Sequence, residues 1–160
     1  MFVTVANYDI LILARNLRYG RLKWEKNLYS RVTALTVEEI IEDIRQLSGN
    51  EFREIVKGFI GDGLIPELNS QMKLLTKMQK QNEVILKDIR NVTIAHRDKD
   101  ALKQLAIIEK IDPFKFEKLL ADLIDWLSGF IGLITRIIEE LLVRLKLLQD
   151  FRSGLKNGHI

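Results

Sequence analysis

The sequence predicts an all-α protein, an up-and-down helical bundle with a long C-terminal helix. Apolar residues recur every three or four positions through most of the chain, which is the period of helices that bury one face. Only two prolines and nine glycines interrupt 160 residues. The chain has no sustained alternation of apolar and polar residues, the pattern that is typical of a strand. We therefore expect a single domain over residues 1–152 and a flexible tail over 153–160.

Three helices are predicted in the N-terminal half. Thr36 followed by Glu39 forms a capping-box pattern, so we place a helix start at Thr36. Asn50 is a residue type that caps helices, and Gly61 is one that ends them. The predicted helices span roughly 4–30, 36–48 and 50–61.

The C-terminal half is predicted to hold two long helices and one short one. Pro66 suits the first turn of a helix that reaches Arg90. A short helix follows Asp98, and the pair formed by Asp112 and Pro113 is a start signal for the last helix. The predicted end points are about Lys110 for the short helix and about Phe151 for the last one.

The last helix carries two adjacent apolar stripes. One has the alternating spacing of four and three that is typical of a heptad seam. Two stripes indicate burial on two sides, one inside the bundle and one against a second copy of the chain. A central helix in a monomeric bundle is the alternative. The seam comprises Leu120, Ile124, Leu127, Ile131, Ile134, Ile138, Leu141, Leu145 and Leu148, and the second stripe comprises Leu119, Leu123, Trp126, Phe130, Leu133 and Ile137.

Composition excludes several kinds of site. The chain has no cysteine, which removes disulfides, thiolate zinc sites and cysteine nucleophiles, and it has only two histidines, His96 and His159. The acidic run at 38–43 has no histidine nearby, so we interpret it as a helix cap and a solvated face. We expect no metal, no cofactor and no role for His159 in the tail.

Charge and hydropathy favour a soluble cytoplasmic protein that has no membrane partner. The net charge of +3 permits an anionic ligand without requiring one. No basic region followed by an apolar stretch marks a signal peptide at the start. The longest uncharged run in the last helix is 126–135, shorter than the roughly 20 residues that span a bilayer.

One segment concentrates side chains that can perform chemistry. Arg90, Asn91 and His96 lie near the end of an amphipathic helix. A histidine can serve as general base and acid near neutral pH, and an arginine can stabilise charge that develops on a phosphate. An asparagine can orient either group. Together they are sufficient for metal-independent RNA cleavage, in which a deprotonated 2′-hydroxyl attacks the adjacent phosphorus.

Six residues of regular helix would place Arg90 and His96 about 120° apart around the axis. The two side chains would then not share a face. Either the stiff run at 92–94 interrupts the helix, or the site combines residues from two subunits, and both can hold at once.

Arg90, the polar Asn91 directly after it, and His96 after four further residues resemble the signature of the HEPN superfamily. The flanking residues are similar to those of abortive-infection toxins of that family. The resemblance implies a helical bundle that dimerises around a shared cleft, with Arg90, Asn91 and His96 as catalytic residues and RNA as substrate. It also implies a toxin–antitoxin or phage-defence setting, with an antitoxin such as a minimal nucleotidyltransferase. Alternatively, His96 caps a helix end and Arg90 pairs with Glu83 or Asp88.

Further basic residues could contact RNA. Arg15 and Arg18 begin a basic run interleaved with aromatic residues, which could follow an RNA backbone and stack bases. The alternative is a solvated face with Trp24 tucked into the core. Arg97 adjoins the motif, and a helical face of lysines leads toward it, comprising Lys73, Lys77 and Lys80.

The sequence thus predicts a dimeric, metal-independent endoribonuclease that dimerises through its C-terminal helix. The alternative function is a non-catalytic helical dimer that binds a partner protein or nucleic acid. The discriminating geometry is whether Arg90 and His96 of two subunits converge in an open, basic cleft.

Overall fold

A computed structural model describes residues 2–90 and 101–156 of the chain, and within these ranges every regular element is a helix. The prediction of an all-α helical bundle is confirmed. The helices are α1 (Phe2–Tyr19), α2 (Lys23–Leu47), α3 (Asn50–Ile60), α4 (Ile65–Arg90), α5 (Ala101–Glu109) and α6 (Pro113–Lys156).

Four long helices form the body of the bundle. α1 and α4 each pack against both α2 and α6, so α1 and α4 lie diagonally across from one another. The indole Nε1 of Trp126 donates to the Gln71 carbonyl at 2.9 Å, and Arg136 pairs with Glu67, which orients α4 antiparallel to α6. The short α3 packs against α6 and α4.

α6 supplies the largest share of the core. Its side chains from Leu119 to Ile137 on the second apolar stripe are all buried, and Trp126 stacks on Phe130 with ring centroids 4.9 Å apart. On the heptad seam, Leu120 and Leu127 are fully buried as well. As far as Ile137, side chains of both apolar stripes therefore pack inside the chain's own bundle.

The predicted break between the first two helices was placed wrongly. The chain leaves α1 at Tyr19, and α2 runs without interruption through Thr36. A Cβ at Gly20 would lie 2.9 Å from the Asn16 carbonyl oxygen, so glycine suits this close approach. The Glu25 carboxylate accepts hydrogen bonds from two backbone N–H groups at the corner, at 3.1 and 3.2 Å, and so begins α2.

The other boundaries follow the predicted signals more closely. Gly49, one residue before the predicted cap, precedes α3, and Gly61 ends that helix with φ of 80°. Asp112 accepts the Phe114 N–H at 3.1 Å, as an N-cap does. α6 continues to Lys156, beyond the predicted end at residue 151, and residues 157–160 lie outside the described part of the chain.

The C-terminal part of α6 projects from the body of the bundle. All residues from Leu142 to Ser153 are exposed, which corresponds to about 18 Å of helix. We call Ile138–Ser153 the projecting segment. Half of its residues are apolar, and they spread over about 260° of the circumference at about 100° per residue, wider than the stripe of an ordinary surface helix. These apolar residues are Ile138, Leu141, Leu142, Val143, Leu145, Leu147, Leu148 and Phe151.

Candidate functional site

The end of α4, all of α5 and the start of α6 lie at one end of the bundle, which we call the motif end. The Asn27 side chain in the first turns of α2 donates to the Ile108 carbonyl of α5 at 3.0 Å. Lys26 pairs with Glu117 of α6 at 3.8 Å. The connection between α1 and α2 therefore also lies at the motif end, and the projecting segment lies at the opposite end.

The predicted catalytic residues fall mostly outside the described part of the chain. Arg90 is the last residue of α4, and its side chain is not described. Asn91, His96 and Arg97 belong to the segment 91–100, which lies outside the described residues. The prediction that Arg90 and His96 converge in a cleft stays a prediction.

A cleft of about 860 Å³ adjoins the last turns of α4. One wall is apolar and comes from α4, where Ile89 is buried and Ile85 is half-buried. α5 and the start of α6 form the other sides. The lining residues include Val84, Ile107, Ile111, Lys110, Lys115 and Lys118.

The cleft's three lysines were not singled out from the sequence. Lys110, Lys115 and Lys118 are exposed, and none of them forms an ion pair with another described residue. Two carboxylates share the cleft, Asp112 and Asp122, and the first of them caps α6. The only sequence signal for these lysines was their grouping around the start of α6. Their three positive charges share the cleft with these two carboxylates beside the end of α4.

The three lysines predicted on α4 lie together on one exposed face. Lys73, Lys77 and Lys80 line a shared shallow groove. About two helical turns beyond Lys80, Lys87 donates to Glu83, which lowers the pKa of that carboxyl, while the same bond raises the pKa of Lys87. Glu83, proposed above as an alternative partner of Arg90, is thus engaged by Lys87.

Arg15 and Arg18 do not lie on the same surface of the bundle as the lysines of α4. They lie on α1, which is diagonal to α4 across the bundle. They are close to the turn into α2, where Tyr19 is 70% exposed and Trp24 is 62% exposed. The alternative that Trp24 is tucked into the core is therefore wrong.

The acidic run at 38–43 is not a helix start, because α2 passes through it. Glu42 and Asp43 are exposed, as expected for a solvated face. Among residues 2–90 and 101–156, no three histidine or acidic side chains converge into a group that could hold a metal ion. None of the described helices is long and apolar enough to cross a membrane.

Comparison of the chain with protein-family models, with curated proteins and with solved structures gives no match. The HEPN resemblance accordingly rests on the motif that begins at Arg90 and on the helical architecture.

Proposed function

We propose that this protein is a metal-independent endoribonuclease of the HEPN type, acting in the cytoplasm as a toxin of a toxin–antitoxin or phage-defence system. The observation that carries the proposal is the sequence Arg90, Asn91 and, after four residues, His96, which starts at the end of α4. The cleft lysines support it, because they supply cations beside the end of α4. The lysine face of the same helix adds positive charge about 15 to 25 Å from that end. An antitoxin, for example a minimal nucleotidyltransferase, would neutralise the activity.

The proposed reaction is transesterification within RNA. The imidazole of His96 accepts the 2′-hydroxyl proton while the 2′-oxygen attacks phosphorus. A protonated imidazole, that of a second copy in a shared cleft, gives a proton to the departing 5′-oxygen. Arg90 holds the phosphate and stabilises its developing charge, and Asn91 orients these groups. The products are a 2′,3′-cyclic phosphate and a free 5′-hydroxyl.

We propose a homodimer in which the C-terminal helix supplies one contact, through the apolar side chains of the projecting segment. That segment and the end of α4 lie at opposite ends of a bundle traversed by α6, a helix of about 66 Å. A contact at the projecting segment alone would not bring two motifs together. A shared cleft needs a second contact at the motif end, where Val84 and Leu105 are 75% and 52% exposed.

The test is cleavage of a mixed RNA pool by the purified chain in EDTA, with His96→Ala and Arg90→Ala beside the wild type. We expect wild-type cleavage that leaves 2′,3′-cyclic phosphate ends and that both substitutions abolish. Lys146→Ala, on the projecting segment, is the matched control and should cleave normally. Cleavage that survives His96→Ala, or that requires a metal ion, would overturn the mechanism.

A second candidate is a non-catalytic helical dimer that binds a partner protein or nucleic acid. The projecting segment favours it, because so wide an apolar surface on an exposed helix is typical of an interaction site. A folded, dimeric wild-type protein that leaves the RNA pool intact would favour this function.

A further inference from the structure

We propose that the corner between α1 and α2 is a binding surface for single-stranded RNA. We define the α1–α2 corner as Arg15–Glu25 together with Tyr29. Exposed aromatic rings would stack on bases, and arginine side chains would hold the sugar–phosphate backbone. The inference rests on the proposed nuclease function for the identity of the nucleic acid, but its test is independent of cleavage.

The aromatic part of the surface is unusually exposed. Tyr19 ends α1 and Trp24 lies in the first turn of α2, and each leaves more than three-fifths of its surface open. Large aromatic side chains normally contribute their area to a core or an interface. Every base offers a flat face, so stacking on such rings binds single strands with little dependence on sequence.

The charge around these rings is almost entirely positive. Four cationic side chains of the corner are at least partly exposed and form no ion pair with any described residue. The one carboxylate between Arg15 and Arg31 is Glu25, which the backbone N–H groups of the turn engage. An RNA backbone therefore meets a net attraction there. The four cationic residues are Arg15, Arg18, Arg21 and Lys23.

The corner is also concave and locally fixed. A hollow of about 630 Å³ lies between the end of α1 and the start of α2, lined by Arg15, Tyr19, Arg21 and the half-buried Tyr29 among others. The Glu25 bonds fix the turn between the two helices. Trp24, Arg18 and Lys23 flank this hollow along the chain and are not part of its lining.

The corner belongs to the motif end of the bundle. Asn27, just beyond it, contacts the backbone of α5 at Ile108, and the neighbouring Ile107 lines the cleft beside the end of α4. A strand that lies on the corner can thus continue across α5 toward that cleft. The lysine face of α4, on the opposite side of the bundle, is not needed for this path.

The test measures binding without cleavage. A labelled single strand carrying 2′-O-methyl groups cannot undergo the proposed reaction, and fluorescence anisotropy reports its affinity for the full-length chain. We expect Tyr19→Ala and Trp24→Ala each to raise Kd roughly 5- to 150-fold, the range for removing one stacking ring. Arg15→Ala with Arg21→Ala should reduce the slope of log K against log salt concentration by about 0.7 for each phosphate that the variant no longer binds.

Matched control variants show whether a loss of RNA affinity is specific to the α1–α2 corner or is a general effect of removing an exposed aromatic or cationic side chain. Tyr8→Ala removes an equally exposed aromatic from α1, 62% exposed but remote from the corner, and Lys146→Ala removes a cation from the projecting segment. Both should bind like the wild type. Equal weakening by Tyr8→Ala, unchanged affinity in Trp24→Ala, or equal affinity for duplex and single strand would overturn the inference.

The same assay distinguishes failure of this inference from failure of the nuclease. His96→Ala should lose cleavage and keep its affinity for the 2′-O-methyl strand. Trp24→Ala should bind weakly and, in single-turnover reactions at saturating protein, still cleave. If folded wild-type protein binds no single strand, the inference that the α1–α2 corner binds RNA is rejected, whatever the outcome for cleavage. The exposed rings would then be assigned to contact with a protein partner.

Discussion

Replacing one face of the projecting segment should dissociate the proposed dimer without unfolding the chain. The face consists of four apolar side chains spaced along the exposed part of α6. Glutamine is a suitable replacement because it keeps a helix propensity close to that of leucine. The variant combines Ile138→Gln, Leu142→Gln, Leu145→Gln and Leu148→Gln.

The size of the effect follows from how exposed these side chains are. They are 49%, 60%, 43% and 56% exposed in the single chain, so about half of each surface is available to a partner. Complete burial of such a side chain contributes about 1.5–3 kcal/mol, and half of that is about 1 kcal/mol. Eight side chains in a dimer then contribute about 8 kcal/mol, and their replacement raises the dimer Kd by roughly five to six powers of ten.

Sedimentation velocity over a concentration series measures this directly. We expect a wild-type dimer and a variant whose dimer Kd is raised by that factor. The variant should keep its helical circular-dichroism spectrum, because the replaced side chains are already exposed in the single chain, and its melting temperature should lose only the contribution that dimerisation makes. The control variant changes the polar strip of the same segment, Glu139→Gln, Lys146→Gln and Asp150→Gln, and should remain dimeric. A wild-type monomer, or a dimer that survives the fourfold replacement, would refute the reasoning.

Four further predictions concern the bundle itself. Glu25→Ala removes the acceptor for two backbone N–H groups and should destabilise the chain by about 1–2 kcal/mol in urea denaturation. Phe130→Ala should cost about 3–5 kcal/mol in the same experiment, since its fully buried ring leaves a cavity in the core. Lys87→Met should return the depressed pKa of Glu83 toward its ordinary value, observable by carboxyl NMR titration. In the wild type the Glu83–Lys87 pair should stabilise the fold above the ordinary glutamate pKa, and this contribution should disappear as pH falls through the depressed value.

The fold class was predictable because helical periodicity persists through most of the chain. The first interhelical break was not, because the pattern of Thr36 and Glu39 is a local signal that competes with packing. Val37 and Ile41 are buried on a face that continues from Ala34, so continuing the helix buries more apolar surface than a new start would. The actual break between α1 and α2 depends on the close approach of Gly20 to the Asn16 carbonyl oxygen. A single glycine in the sequence does not indicate such an approach.

The two apolar stripes of α6 show that a sequence pattern does not identify the partner that buries a side chain. A side chain that is buried by its own bundle and one that is buried by a second copy must both be apolar, so their pattern in sequence is the same. Only the packing separates Leu127, which the chain itself buries, from Leu145, which it leaves 43% exposed.

In the candidate site, too, some features were predictable from the sequence and others depend on packing. The shared face of Lys73, Lys77 and Lys80 was predictable, because they lie opposite the apolar stripe of an amphipathic helix. The cleft lysines, for example Lys115, were not, because that cleft exists only where α5 and α6 meet the end of α4. Trp24 was ambiguous from sequence, since its ring fits either a core or a binding surface.

The packing of α1 on α6 has a consequence for synthesis of the chain. Side chains of α1 such as Ile10 and Leu17 are completely buried, and α1 packs on both α2 and α6, although α6 emerges from the ribosome roughly 100 residues later. The α1–α2 hairpin can form early, but its apolar face stays uncovered until α6 is available. The nascent chain therefore offers a site to chaperones for most of its translation, and the fold closes only after α6 has been made.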